Sequence, residues 1–354
     1  MKNIRYNLVI VLLTLIFTSC EKTEFNGSNP GQYDKGTFVL NEGAFGSGNA
    51  SVSFINANGD SILNNIFSTE NHRPLGDVLQ SMYKDGNYAY LVVNGSNKVE
   101  VVNLSDFKEV NTIVDLDGPR YMTVARGKGY ITQWGGDGSV AVVDLGTMQV
   151  SNTIKTGNGP EGIMQVGDLL WVANGGGLGL DSTISMINPV NDEIVNTINV
   201  GYNPKEMVRD IHGNVWVICF GYVEYNQDWT IAKEYPSQLT QVSATNFSIL
   251  KKIVIGQSLH PQHLTINPTG NKLYVGGGFG FTGLYQLGTE TNTFPDTPLI
   301  QGNFYGFDVN PVTGEIYACV APDFTVPGTV EIYSKQGDKI RTFTVGIGPS
   351  SVVF

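Results

Sequence analysis

The strongest constraint on this chain is that it repeats itself. "GPRYMTVARGKGYITQWGGDGSVAVVDLGTMQVSNTIKTG" is followed by "GPEGIMQVGDLLWVANGGGLGLDSTISMINPVNDEIVNTINVG". Each copy opens on Gly-Pro and an apolar segment, and a second strand ends at Asn or Gln. A Gly-rich loop, a third strand of small and apolar residues, a turn and a fourth strand of the "NTI" type follow. Four short strands at this spacing make one antiparallel sheet, and a series of such sheets reads as a β-propeller.

The X-Pro landmark allows a count. Pro74, Pro119, Pro160, Pro204 and Pro261 are followed by a degenerate copy at Phe304 and then Pro349, at intervals of 45, 41, 44, 57, 43 and 45 residues. The chain ends 5 residues after Pro349, and residues 36–74 supply 39 more, so the wrap-around interval of 44 matches the rest. The expected fold is all-β: a seven-bladed β-propeller of four-stranded antiparallel blades over residues 36–354. The N-terminal "GTFVLNEG" and C-terminal "PSSVVF" are expected to pair in one blade, which removes exposed strand edges. The 43 glycines and a charged fraction of only 15% suit a strand-and-turn protein.

Ahead of the repeats, "MKNIRYNLVIVLLTLIFTSC" carries Lys2 and Arg5, an apolar run from Leu8 to Phe17, and small residues before Cys20. This is the pattern of a secretory signal over residues 1–19. The run is short for a bilayer span. Thr18-Ser19-Cys20 resembles the bacterial lipobox, and that resemblance makes Cys20 the lipidated first residue of the mature chain. Residues 20–35 read as a polar tether. Their acidic character resembles the surface-export signal of certain Gram-negative anaerobes, which implies a lipid-anchored outer-membrane protein facing outward. Removing Lys2 and Arg5 takes the net charge from −11 to −13. That balance argues against nucleic acid as a partner and against adsorption to anionic lipid.

In a four-stranded blade the loop between the second and third strands shares one face with the connection from the fourth strand to the next blade. The loops of that face contain Trp134, Tyr222, Tyr225, Trp229, Phe279, Phe281 and Phe324. The connections contain Arg120, Tyr121, His260, His263, Phe304 and Tyr305. The 57-residue interval holds "FGYVEYNQDW", four aromatics in ten residues where a short polar turn would serve. An aromatic left in water forgoes roughly 1–3 kcal/mol of burial, so a group of them marks a contact surface. These residues are the expected ligand site, with the enlarged loop covering one side of the mouth.

Other motifs carry little chemistry. "HPQH" places His260 and His263 together without a third ligand or helical spacing, so no metal site is expected. "GGGFGF" lacks the strand–helix context of a phosphate cradle and reads as a turn. No nucleophile elbow or Ser-His-Asp spacing stands out, so an enzyme is not expected. Cys219 and Cys319 lie in apolar strands and are expected as buried free thiols.

"NTINVGYNP", "NTIKTGNGP" and "RTFTVGIGP" resemble the repeat signature of YncE-like, surface-layer-like seven-bladed propellers, over essentially residues 36–354. Within these, the opening "KGTFVLNEGAFGSGNASVSFIN" is most similar to the BtuG-type surface lipoproteins. That resemblance implies capture of cobalamin on the propeller face, no cofactor beyond this transported corrinoid, and delivery to a TonB-dependent outer-membrane transporter. Glycan binding on the same aromatics, a propeller lyase or hydrolase, and a plain adhesion module are the alternatives.

Overall fold

The structure, a computed structural model, describes residues 31–256, 258–278 and 280–354. The signal peptide, Cys20 and its lipid, residues 21–30 of the tether, and Phe279 lie outside the described residues. Seven blade sheets follow one another along the chain, and a separate two-stranded sheet is inserted within the fifth. The first blade sets Pro349–Val353 beside Gly36–Asn41, Ser51–Asn56 and Ile62–Leu63. Blade two runs from Leu79–Asp85 to Glu109–Ile113, blade three from Pro119–Ala125 to Gln149–Lys155, and blade four from Pro160–Val166 to Glu193–Asn199. Blade five holds Pro204–Arg209, Val215–Cys219, Ser237–Val242 and Ile249–Gly256, blade six His263–Ile266, Lys272–Gly276 and Tyr285–Gly288, and blade seven begins at Gly306–Val309 and ends at Lys339–Ile347.

The alternation of each strand buries both faces of every sheet against its neighbours. Seven apolar clusters result, one per pair of adjacent blades. One joins Tyr90, Val99 and Ile113 of blade two to Met122, Ile131 and Ala141 of blade three. Another joins Trp171 and Ile184 of blade four to Val217 and Cys219 of blade five. The cluster between blades seven and one packs Tyr317, Cys319 and Val330 against Val39, Ile55 and Val352. Pro349–Val353 pairs antiparallel with Gly36–Asn41, with Val352 opposite Val39 and Val353 opposite Phe38. Cys219 and Cys319 are buried free thiols, and burial pushes the Cys219 pKa up to about 12.

The structure departs from the sequence expectation in three places. Blade six has three strands, not four, among the described residues. After Tyr285–Gly288 the chain returns as a loop and touches the sheet edge at a single bridge, Leu284 to Ile300. "TETNTFPDTP" contains two prolines, which cannot donate to a ladder. Second, the landmark of blade two is Leu79 rather than Pro74. Leu79 opposes Val93 and is followed by a register shift, as Pro119 opposes Gln133 before its own shift. Pro74 sits in the connection before it. Third, Tyr33, read as tether, is buried on Phe54 and Phe107 and donates to Glu70 at 2.8 Å.

Candidate functional site

The innermost strands build the site through one repeated defect. In blades two to five the register slips just after the landmark, between Leu79 and Ser81, Pro119 and Met122, Pro160 and Ile163, and Pro204 and Met207. A bulge re-aims side chains. Here it faces the residue after each landmark toward the propeller axis: Gln80, Arg120, Glu161 and Lys205, with Gln262, Tyr305 and Ser350 in the equivalent places of the remaining blades. All seven line one cavity of about 220 Å³, together with Glu42, Tyr121, Glu206 and His263. Below it a second space of about 330 Å³ continues along the axis, sharing Tyr121, Glu206, His263 and Ser351 and adding Met164 and Asp308.

The charges in this funnel are laced together. Arg120 grips Glu161 with two bonds, Nε to Oε2 at 2.9 Å and Nη2 to Oε1 at 3.0 Å, and its Nη1 donates to the side-chain amide oxygen of Gln80. Lys205 Nζ reaches the same Glu161 at 3.0 Å. Burial opposes ionisation of Glu161, but Arg120 and Lys205 outweigh it and hold its carboxyl below the usual range. Burial likewise works against Arg120, and Glu161 keeps it above its ordinary value. His263 Nδ1 pairs with Glu206 Oε1 at 2.9 Å. That carboxylate outweighs the burial of the imidazole, so the His263 pKa lies above the ordinary value. Tyr305 donates to Glu42 at 3.1 Å, and burial is the main reason both groups titrate upward. Deeper, burial pushes the Asp308 carboxyl up to about 6, although Thr265 donates to it at 2.6 Å.

Of the residues expected from sequence, Arg120, Tyr121, His263 and Tyr305 meet in this cavity. Trp134 and Phe324 flank it. The Arg120 guanidinium lies 4.3 Å from the Trp134 ring centroid, and Phe324 meets Tyr305 edge-on at 5.4 Å. Phe304 and Phe281 do not face the mouth: both are buried, Phe304 against Tyr333 and Phe281 against Tyr285. Phe304 occupies a landmark position, where the side chain packs inward in every blade. His260 also points elsewhere, bonding the Phe220 carbonyl at 2.6 Å and Glu234 at 3.1 Å. The two histidines of "HPQH" therefore serve separate partners.

The enlarged loop is a β-hairpin, Tyr222–Tyr225 with Ile231–Tyr235, rather than an irregular cover. Gly221 starts it at φ 84°, where a Cβ would lie 2.4 Å from the Tyr235 carbonyl. His260 holds its stem through Glu234. Tyr222 packs on Tyr235 within the stem, at 6.2 Å between centroids. Tyr225 and Trp229 stand at the tip, 56% and 82% exposed, and none of the three lines the funnel. Sequence reasoning passed over Gln80, Glu206, Gln262, Asp308 and Ser350. The usable signal for Gln80, Gln262 and Ser350 was their place directly after the landmark.

Fold and site together define a class: a seven-bladed propeller with a charge-paired polar funnel on its axis and aromatic loops on the same face. More narrowly, the chain belongs to the family described as a domain of unknown function, DUF5074, which matches residues 35–348. None of the curated proteins matches it. Among solved structures it is similar to a quinonprotein alcohol dehydrogenase-like protein of Bacteroides thetaiotaomicron, with TM-score 0.65 and 14% identity over 91% of this chain and 78% of that one. It is also similar to Kuenenia stuttgartiensis hydrazine synthase, with TM-score 0.57 and 19% identity over 75% and 86%. The WD40 β-propeller domain of Doa1 gives TM-score 0.55 and 11% identity over 82% and 90%. At these identities the likeness is one of fold.

Proposed function

We propose that this protein captures a broad, amide-bearing ligand of the corrinoid class, cobalamin, across the mouth of its funnel. One juxtaposition supports the reading. The polar ring of Gln80, Arg120, Lys205, Gln262, Tyr305 and Ser350 opens on the face whose loops carry Phe45, Tyr225 and Trp229, with Phe45 85% exposed. A funnel of about 220 Å³ is smaller than the roughly 300–1,000 Å³ that engulfs a drug-sized molecule, so a corrinoid lies over it rather than inside it. The aromatics then cover its apolar parts while the ring meets its amides. A site fixed by seven packed blades loses little entropy on binding, which favours tight capture.

The same proposal includes a lipid on Cys20, an outward-facing place on the outer membrane, hand-over to a TonB-dependent transporter, and no catalytic step. It also takes the pairing of Pro349–Val353 with Gly36–Asn41 as the seam that closes the ring. A second reading, lyase or hydrolase chemistry, is favoured by Glu42 and Asp308, two carboxyls that burial holds above their ordinary range in the two adjoining cavities of the channel.

Calorimetric titration of the purified protein with cyanocobalamin tests the reading. One-to-one binding is expected, weakened about tenfold or more by Phe45→Ala with Trp229→Ala. No heat at micromolar concentrations removes the corrinoid assignment, and a glycan array or a turnover screen then decides among the alternatives.

A further inference from the structure

We propose that the upper channel cavity is a subsite for a neutral primary carboxamide projecting from the captured molecule. This rests on the capture reading and adds the chemical class of the group that enters the axis. The first observation is that the charges around the cavity are already matched. Three basic groups, Arg120, Lys205 and His263, face three carboxyls, Glu42, Glu161 and Glu206. Arg120 and Lys205 share Glu161, and His263 holds Glu206. A ligand ion entering this space would bury its charge without a counter-charge, which is costly in a site screened from bulk water.

The second observation is that hydrogen-bonding capacity of both kinds remains unused. Ser350 is 6% exposed and lines the cavity, yet its Oγ has no hydrogen-bond partner. The Ser350 hydroxyl is close enough to draw the Glu42 carboxyl slightly downward, the smallest of the influences on that group, but it makes no hydrogen bond of normal distance and angle. A buried hydroxyl of this kind is normally satisfied, so it points to a missing partner. Among the described residues the Gln262 amide makes no side-chain hydrogen bond, and Lys205 uses only one of its three donors, on Glu161. A primary amide supplies two N–H donors and a carbonyl acceptor, and it can pair reciprocally with another amide such as Gln262.

The third observation is spatial. Gly278 lines the cavity at φ 96°, and a Cβ there would lie 2.8 Å from Gln262 Cγ. Glycine thus leaves the Gln262 side chain room to lie along the wall. A cavity of about 220 Å³ admits a side arm and excludes a macrocycle.

The test pairs binding with stability. Wild type, Ser350→Ala and Gln262→Glu are titrated with cyanocobalamin, and wild type also with cyanocobalamin derivatives in which one amide has been hydrolysed to a carboxylate. Ser350→Ala should leave the melting temperature within about a degree of wild type, because the hydroxyl makes no full hydrogen bond within the fold, and yet bind about tenfold more weakly. Gln262→Glu and at least one monocarboxylate should lose about tenfold or more. Wild-type affinity in both variants, or a lowered melting temperature for Ser350→Ala, overturns the subsite while leaving the capture reading standing. If wild type does not bind cyanocobalamin, the capture reading fails and the subsite is judged alone, by NMR of the His263 ring protons with millimolar propionamide and propionate. Shifts with propionamide only support it; shifts with propionate, or with neither, overturn it.

Discussion

At the scale of single residues, the funnel is decided by compensation of buried charge. Glu161 is 2% exposed and depends on Arg120 and Lys205. Removing one partner of such a pair leaves a buried charge unmatched, at a cost of about 3–5 kcal/mol. Arg120→Ala should therefore lower the unfolding free energy by that order in denaturant melts, and the triple variant Arg120→Met, Glu161→Leu and Lys205→Met, which removes the whole charge cluster, should recover most of the loss. An equal loss in the triple variant would show that packing, not charge, holds the site. Asp308 gives the opposite sign. Its folded pKa, about 6, lies above that of an unfolded aspartate, so the folded state holds the proton more tightly. The ionised form thus costs stability, a cost absent below about pH 4 and fully present above about pH 6. Asp308→Asn should stabilise by on the order of 2 kcal/mol at pH 8, with the gain vanishing toward pH 4. Melting curves across that range check it, and a pH-independent difference contradicts it.

At the scale of elements, the bulged inner strands and the hairpin have separable jobs. The residue after each landmark faces the axis, through a bulge in blades two to five, so the order Gln, Arg, Glu, Lys, Gln, Tyr, Ser is a list of what the funnel presents. That order was legible in the sequence once the landmark was found, and Arg120 and Tyr305 were read from it. Gln80 was missed because Leu79 replaces the proline that marks the position elsewhere. Glu206 and Asp308 were missed because alternation along a strand does not reveal which face meets the axis. The hairpin was legible as an insertion with unusual aromatics, but its pairing was not, since Asn226 to Thr230 carries no two-residue turn signature. Trp229 adopts φ 64° there, a conformation that costs an ordinary residue roughly 1–2 kcal/mol. Replacing residues 222–235 by a short Gly-Ser turn should leave the melting temperature within a few degrees and abolish most ligand affinity. Unchanged affinity would confine the hairpin to a role outside the capture site.

At the scale of the molecule, the repeat determined the architecture because every blade solves the same burial problem against its neighbour. The seven inter-blade clusters follow from that periodicity. What periodicity cannot convey is which blade departs from it, and blade six loses its outer strand through a proline-rich return. If Pro349–Val353 is the seam that closes the ring, truncation after Gly348 should expose the Gly36–Asn41 edge. The expected result is loss of a cooperative melt and onset of aggregation. A cooperative, monomeric truncated protein would show that the apolar clusters suffice without the seam.

The most direct test of the central claim is a crystal structure of the protein grown with cyanocobalamin. The account predicts one corrinoid across the mouth, with an amide arm against Gln262 and Ser350 and the Trp229 hairpin over one edge. A corrinoid on the opposite face or the outer rim, or none at saturating concentration, would contradict it.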